Sequence, residues 1–193
     1  DFAIIGFGSR GTLFAGYIKE NANMRLTAVV DVCEEQLVLA QKEYGVSADR
    51  CYRDYRDFYR AGKIADAVIV ASQDADHYAH TIPALEAGYD VLLEKPVANR
   101  LEDCIGIRDK ANALHRKVMV CHVLRYSHFY DFVKKIIDGG EIGRVININQ
   151  TENVGYWHYA HSFIRGAWRN SDTSSPMILA KCCHDLDIIT YLI

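Results

Sequence analysis

The stretch Phe2-Ala3-Ile4-Ile5-Gly6-Phe7-Gly8-Ser9-Arg10-Gly11 decides the fold. A continuous apolar run ends at Gly6, and after Ser9 the spacing turns helical through Leu13, Phe14, Tyr17 and Ile18. That order reads as strand, tight turn, helix. The turn fits G-x-G-x-x-G, where Gly6 permits the sharp turn, Gly8 lets backbone approach a diphosphate and Gly11 lets helix pack on strand. The helix that begins near Ser9 and Arg10 aims its free N–H groups at such an anion. Three glycines in a turn can also serve the turn alone, so the surroundings have to carry the reading.

They do so on the next strand. Leu26 to Val30 is a second β-rich run, and Asp31 closes it twenty residues beyond Gly11. A carboxylate there accepts a hydrogen bond from an adenine ribose 2'-hydroxyl and repels a 2'-phosphate, which favours NAD over NADP. Arg10 leaves a lesser route to NADP, because its guanidinium could reach a phosphate from the turn.

Further out, Leu37, Leu39 and Ala40 suit a helix closing near Gly45, and the apolar runs Ala67–Ala71 and Asp90–Leu93 flank a helical stretch from about Ala75 to Glu86. Strands apolar on both faces belong inside a parallel sheet. A helix over Leu101–Leu114 leads to Val118–Cys121, so the alternation predicts an α/β, doubly wound Rossmann domain over residues 1–121. After His122 the rhythm changes. A helix over Phe129–Ile137 ends at Gly139-Gly140, and Val145–Gln150 alternates apolar with polar. Period-two alternation predicts a strand with one wet face, so residues 122–193 read as the start of an α+β domain with an open, mainly antiparallel sheet. Residues 153–176, rich in aromatics, His and Ser, read as a loop over a site, and a helix starts near Met177. The chain opens without Met and stops inside an apolar helical pattern without a cap, so a trimmed chain is expected. Its open strand edge and the side chains Ile178, Ile188, Ile189 and Leu192 predict self-association.

Composition narrows the partners. With 193 residues, half of them apolar, and a net charge of −3, the chain can bury a core but offers no basic stripe for nucleic acid or anionic lipid. No apolar run reaches a membrane span and the start lacks signal-peptide features, so a soluble cytoplasmic protein is expected. The six cysteines show no framework spacing and no CxxC, and Cys182 and Cys183 would point about 100° apart on a helix, so no metal site is expected.

At Glu94-Lys95-Pro96 a strand ends in a lysine between a carboxylate and a proline, at the edge where such sheets bind ligands. Together with Ala71-Ser72-Gln73-Asp74-Ala75-Asp76-His77 and Ala84-Leu85-Glu86-Ala87-Gly88, this closely resembles the glucose-fructose oxidoreductase, inositol dehydrogenase and rhizopine catabolism family. The resemblance covers almost the whole chain. It implies that Ala71, Ser72, His77, Glu94 and Lys95 belong to the cofactor site, and that Lys95 polarises or helps deprotonate a substrate hydroxyl. It also implies an aspartate and, four residues later, a histidine facing the nicotinamide. His184 matches the histidine, but Ala180 stands where the aspartate belongs, leaving Lys181 and Asp187, three residues to either side of His184, as replacements. Arg125, Tyr156, His158, His161, Arg165 and Trp168 are candidates for contact with sugar hydroxyls, and a structural aromatic loop is the alternative for Trp157 and Trp168.

The implied activity is NAD-dependent oxidation of a hydroxyl on a sugar, cyclic polyol or related carbohydrate. Two alternatives stay open: redox-assisted elimination or glycoside cleavage with retained NAD, and a non-catalytic dinucleotide-sensing regulator. Relatives often cover the second domain's sheet with another subunit, which implies a homo-oligomer.

Overall fold

The computed structural model describes residues 1–170 and 174–193, which divide into two compact units, Asp1–Val120 and Cys121–Ile193. In the first, β1 (Phe2–Ile5), α1 (Ser9–Glu20), β2 (Leu26–Val30), α2 (Glu34–Tyr44), β3 (Cys51–Tyr52) and α3 (Tyr55–Arg60) form one half. The other half is β4 (Ala67–Val70), α4 (His77–Glu86), β5 (Asp90–Leu93), α5 (Leu101–Ala113) and β6 (Val118–Val120). All strand pairs are parallel and the sheet order is β3-β2-β1-β4-β5-β6, the doubly wound arrangement expected from the alternation.

Side chains alternate across this sheet, and each face has its own apolar layer. Ala3, Ile5, Val68, Val70, Val91 and Leu93 pack with Phe58, Leu85, Tyr89 and Ile107 on one face. Ile4, Val29 and Ile69 pack with Phe7, Ile18 and Leu37 on the other. Chain order reverses direction between β1 and β4, so their carboxyl ends open a crevice at the switch point. Hydrogen bonds continue the ladder past the strand ends there. The Gly6 N–H donates to the Val30 carbonyl, the Ala71 N–H to Ile5 and the Glu94 N–H to Val70, at 2.8 to 2.9 Å. The segment bearing β3 and α3 had no clear sequence period. A two-residue strand is too short to show one, and α3 is started by Asp54, whose carboxylate accepts from the Arg56 N–H at 2.8 Å.

The second unit contains α6 (His128–Asp138), α7 (Tyr156–Tyr159), α8 (Met177–Ala180) and α9 (Cys183–Leu192). Ser127 caps α6, its hydroxyl accepting from the Tyr130 N–H at 3.4 Å. Three expectations fail in this unit. Residues 145–150 form no strand, and among the described residues of this unit there is no sheet; alternation prepares a strand but cannot supply the partner whose backbone it needs. The stretch expected as a loop over 153–176 is largely helical between Tyr156 and Arg169: α7 runs into a π-helical turn, Ala160–Ile164, and then a 3₁₀ turn, Ala167–Arg169. Clustered rings hide a helical period because aromatics there occupy every side of the turn. Residues 171–173 of that stretch lie outside the described residues. The helix expected from Met177 is broken between Ala180 and Cys183, which starts α9 one residue before His184, and of the side chains expected to drive self-association Ile188 and Leu192 are buried while Ile178 is exposed. No helix among the described residues is long and apolar enough to cross a membrane.

Candidate functional site

At the switch point, a cavity of about 440 Å³ is lined by Gly6, Gly8, Asp31, Tyr55, Ser72 and His80, among others. The glycines of the turn have separate tasks. Gly6 has φ +88°, and a Cβ added to it would lie 2.6 Å from the Ser72 nitrogen; one added to Gly11 would collide with the Gly6 carbonyl oxygen. These two are needed for the turn and for the approach of α1 to β1. At Gly8 a Cβ would meet nothing within 4 Å, so the side of the turn that faces the cavity is open. The fold therefore does not require Gly8 to be bare, whereas a diphosphate lying against backbone does.

Asp31 is fixed beside this turn. Its Oδ2 accepts the Phe7 N–H at 2.6 Å and its Oδ1 the Cys33 N–H at 2.9 Å. Each oxygen keeps lone-pair capacity for ribose hydroxyls, and the fixed charge opposes a phosphate. Arg10 pairs with the buried Glu94, its Nε 3.5 Å from Oε1. Buried Glu94 also accepts the Lys95 N–H at 3.0 Å through Oε2, and so shapes the strand end on which half-buried Lys95 sits. The Lys95-Pro96 peptide is cis.

His77, counted among the cofactor residues from sequence, is 1% exposed and faces two carbonyls, with Nδ1 2.8 Å from the Pro96 oxygen and Nε2 3.2 Å from that of Ser72. It ties the loop after β4 to the loop after β5, and thereby positions Ala71 and Ser72 at the cavity. His80 was missed. Its Nδ1 lies 2.8 Å from Ser72 Oγ, its ring meets Tyr55 edge-on at 4.6 Å, and burial holds it below the usual imidazole range. Arg53, Tyr55 and Arg56 were missed as well, because they follow the short β3. A second histidine three residues after His77 was the available signal for His80, since that spacing shares a helix face.

In the second unit His184 occupies the first turn of α9, and its ring stands 5.9 Å from that of His122. Asp187 is engaged by Arg125, with Nε to Oδ2 at 2.7 Å and Nη2 to Oδ1 at 2.6 Å, while His122 Nε2 lies 3.8 Å from Oδ1. The hydrogen bond to Asp187 raises the Arg125 pKa above its ordinary value. Asp187 thus anchors Arg125, and His122, unmarked in the sequence, joins the candidate histidine. Lys181 Nζ is 3.3 Å from Glu152 Oε1, and Ala180 is buried. Tyr156, His158, His161 and Arg165 are exposed on α7 and the turns after it; His161 lies against Trp157 at 3.8 Å, and Trp168 is half-buried 6.4 Å from Phe163. Of the candidate substrate residues, the structure groups Arg125 with His184 and Asp187.

A family model described as an oxidoreductase family with an NAD-binding Rossmann fold, that of the glucose-fructose oxidoreductase, inositol dehydrogenase and rhizopine catabolism proteins, matches residues 1–122. The chain belongs to this family. It is 28% identical over 99% of its length to 2,7-anhydro-N-acetylneuraminate hydratase of Mediterraneibacter gnavus, covering 48% of that protein. It is 29% identical over 98% of its length to inositol 2-dehydrogenase/D-chiro-inositol 3-dehydrogenase of Lactiplantibacillus plantarum, covering 51% of it. Among solved structures, scyllo-inositol dehydrogenase from Lactobacillus casei with bound NAD(H) and scyllo-inositol superposes with a TM-score of 0.83 at 25% identity, over 99% of this chain and 55% of that one. The chain thus spans about half the length of the relatives it matches. The NAD-binding fold of the family is what the open Gly8 and the fixed Asp31 fit.

Proposed function

We propose that the chain is part of an NAD-dependent oxidoreductase acting on a hydroxyl of a sugar, cyclic polyol or related carbohydrate, with residues 1–121 holding the cofactor and 122–193 beginning the substrate and oligomerisation domain. The observation that carries this reading is Asp31 held by the Phe7 N–H beside the open face of Gly8. It pairs an anion-binding turn with a hydroxyl acceptor fixed at one distance from it. NAD supplies the hydride acceptor when bound. The N–H groups at the start of α1 receive the diphosphate, and Asp31 accepts the ribose hydroxyls. By the family resemblance, Lys95 stabilises the substrate oxygen as negative charge grows on it, and His184 accepts the proton. Glu94 positions Lys95 through its backbone and holds Arg10. Relatives named for inositol oxidation support the substrate class.

A second reading is favoured by a specific departure. Ala180 replaces the family aspartate, Lys181 pairs with Glu152, and one relative is named as a hydratase. That combination supports redox-assisted elimination with NAD retained through the cycle. The deciding experiment offers the full chain sugars and cyclic polyols with each cofactor and follows both free NADH and product. Stoichiometric NADH supports the dehydrogenase, and product without net NADH the second reading. Tight NAD binding without turnover on any substrate would leave a dinucleotide sensor. Asp31→Ala is expected to narrow the preference for NAD over NADP; equal affinities of the parent for the two would overturn the role given to Asp31.

A further inference from the structure

We propose that Ser72 and His80 act as one dinucleotide-binding element, in which His80 sets the direction of the Ser72 hydroxyl proton beside the glycine turn. The inference rests on the reading of this cavity as the NAD site and adds a positioning residue to it. Ser72 lies against the turn, its nitrogen 2.6 Å from where a Gly6 Cβ would sit, and Ser72 and His80 both line the cavity with Gly8 and Asp31. Their side chains are 2.8 Å apart, Oγ to Nδ1. His80 is itself held in place, since the Tyr59 hydroxyl donates to its carbonyl at 2.8 Å and the Tyr55 ring abuts its own.

A hydroxyl has one proton to give. When His80 Nδ1 is bare, Ser72 donates to it and presents only lone pairs to the cavity. When Nδ1 carries a proton, it donates to Ser72 Oγ, and the hydroxyl proton is released toward a ligand. An anionic diphosphate needs donors, so its binding selects the second arrangement, either the Nδ1–H tautomer or the imidazolium. The imidazolium adds an attractive charge as well. Burial keeps His80 neutral to a lower pH than an ordinary imidazole, with Asp76 and Asp54 opposing that shift and His77 adding to it. Because the protonated form binds the anion better, affinity rises as pH falls through the His80 titration. Arg53, Tyr55, Arg56, Tyr59 and Asp31 also face this region, and they are common to every protein in the comparison below.

The test is calorimetric binding of NAD and of ADP-ribose to the full chain from about pH 4.5 to 8, a window that extends below the ordinary imidazole range because burial lowers the His80 titration. Ser72→Ala and His80→Leu should each weaken both ligands by about tenfold, the scale of one hydrogen bond to a charged group. The double variant should be no weaker than either single one, because the two residues work through one bond. His80→Asn places an amide N–H where Nδ1–H stands. It should bind more tightly than His80→Leu and lose the gain in affinity on the acid side. Single variants that bind like the parent, losses that add, or an unchanged pH profile in His80→Asn would each overturn the proposal. A parent chain that binds neither ligand would overturn the NAD reading itself, and this inference with it.

Discussion

In Asp1–Val120, Ile4, Phe7, Val29, Val68 and Leu93 are buried on the two faces of a six-stranded sheet. In Cys121–Ile193 the buried apolar side chains among the described residues are Cys121, Ala160, Ala180, Ile188 and Leu192, whereas Tyr126, Phe129, Phe132, Ile146, Ile178 and Leu186 stand exposed. Prominent ties in the second unit are polar: Arg125 to Asp187, Gln150 to Asp185 and Lys181 to Glu152. A sheet lets one residue in two face each apolar layer, so short strands bury most of what they carry. Helices presenting an apolar stripe with no facing layer leave it to solvent, and charge pairs at a surface contribute little in exchange. The switch-point cavity rests on extended sheet hydrogen bonds, while the His122, His184 and Asp187 cluster depends on α9 and one guanidinium.

The largest expected effect tests the glycine turn that joins sheet to site. Gly11→Ala should destabilise the first unit by about 3 kcal/mol or more, because the methyl collides with a backbone carbonyl that cannot move aside. Gly8→Ala should leave thermal unfolding nearly unchanged and weaken NAD binding about a hundredfold, since the methyl enters space reserved for ligand. Melting curves and calorimetry on the same two variants check both, and equal loss of stability would erase the division of labour between them.

In the second unit Asp187→Asn removes the charge facing Arg125. The Asp187 side chain is 10% exposed but that of Arg125 is 37%, so the expected loss, discounted for solvent, is about 1 to 2 kcal/mol. Hydrogen exchange should quicken along α9 and not in β1 or β4; protection lost evenly across the chain would mean the units are not separate in stability. The smallest effect concerns α3. Backbone hydrogen bonding from Arg56 holds the Asp54 pKa below its ordinary value. A depressed carboxylate contributes above its unfolded pKa of about 4 and ceases to as pH falls through the lower folded value. Asp54→Ala should therefore speed exchange of the α3 amides at neutral pH and leave no difference in strong acid. An unaltered exchange rate at neutral pH would show that the cap contributes nothing.

Much of this was legible in the chain. The apolar runs at β1, β2, β4 and β5, the glycine spacing and Asp31 decided the Rossmann half, because a buried parallel strand must be apolar throughout and a diphosphate turn must be bare. Lys95 and His184 are candidates that only the motifs point to. His80 and His122 were not legible, since their partners Ser72 and Asp187 are eight and sixty-five residues away and are brought near by helix start and strand end. Tyr55 escaped for the same reason, following a strand of two residues. The strand expected at 145–150 failed in the opposite sense: its alternation is present, but the pairing is not. What sequence alone determined is therefore whatever depends on residue type and local spacing: the strand and helix alternation, the bare turn and the acid that follows it. Tertiary structure alone decided which polar atoms meet, that Arg10 answers to Glu94, Arg125 to Asp187 and Ser72 to His80. Hydrogen bonds and ion pairs form only within about 3 to 4 Å, and distances that short between remote residues are set by packing rather than by order along the chain.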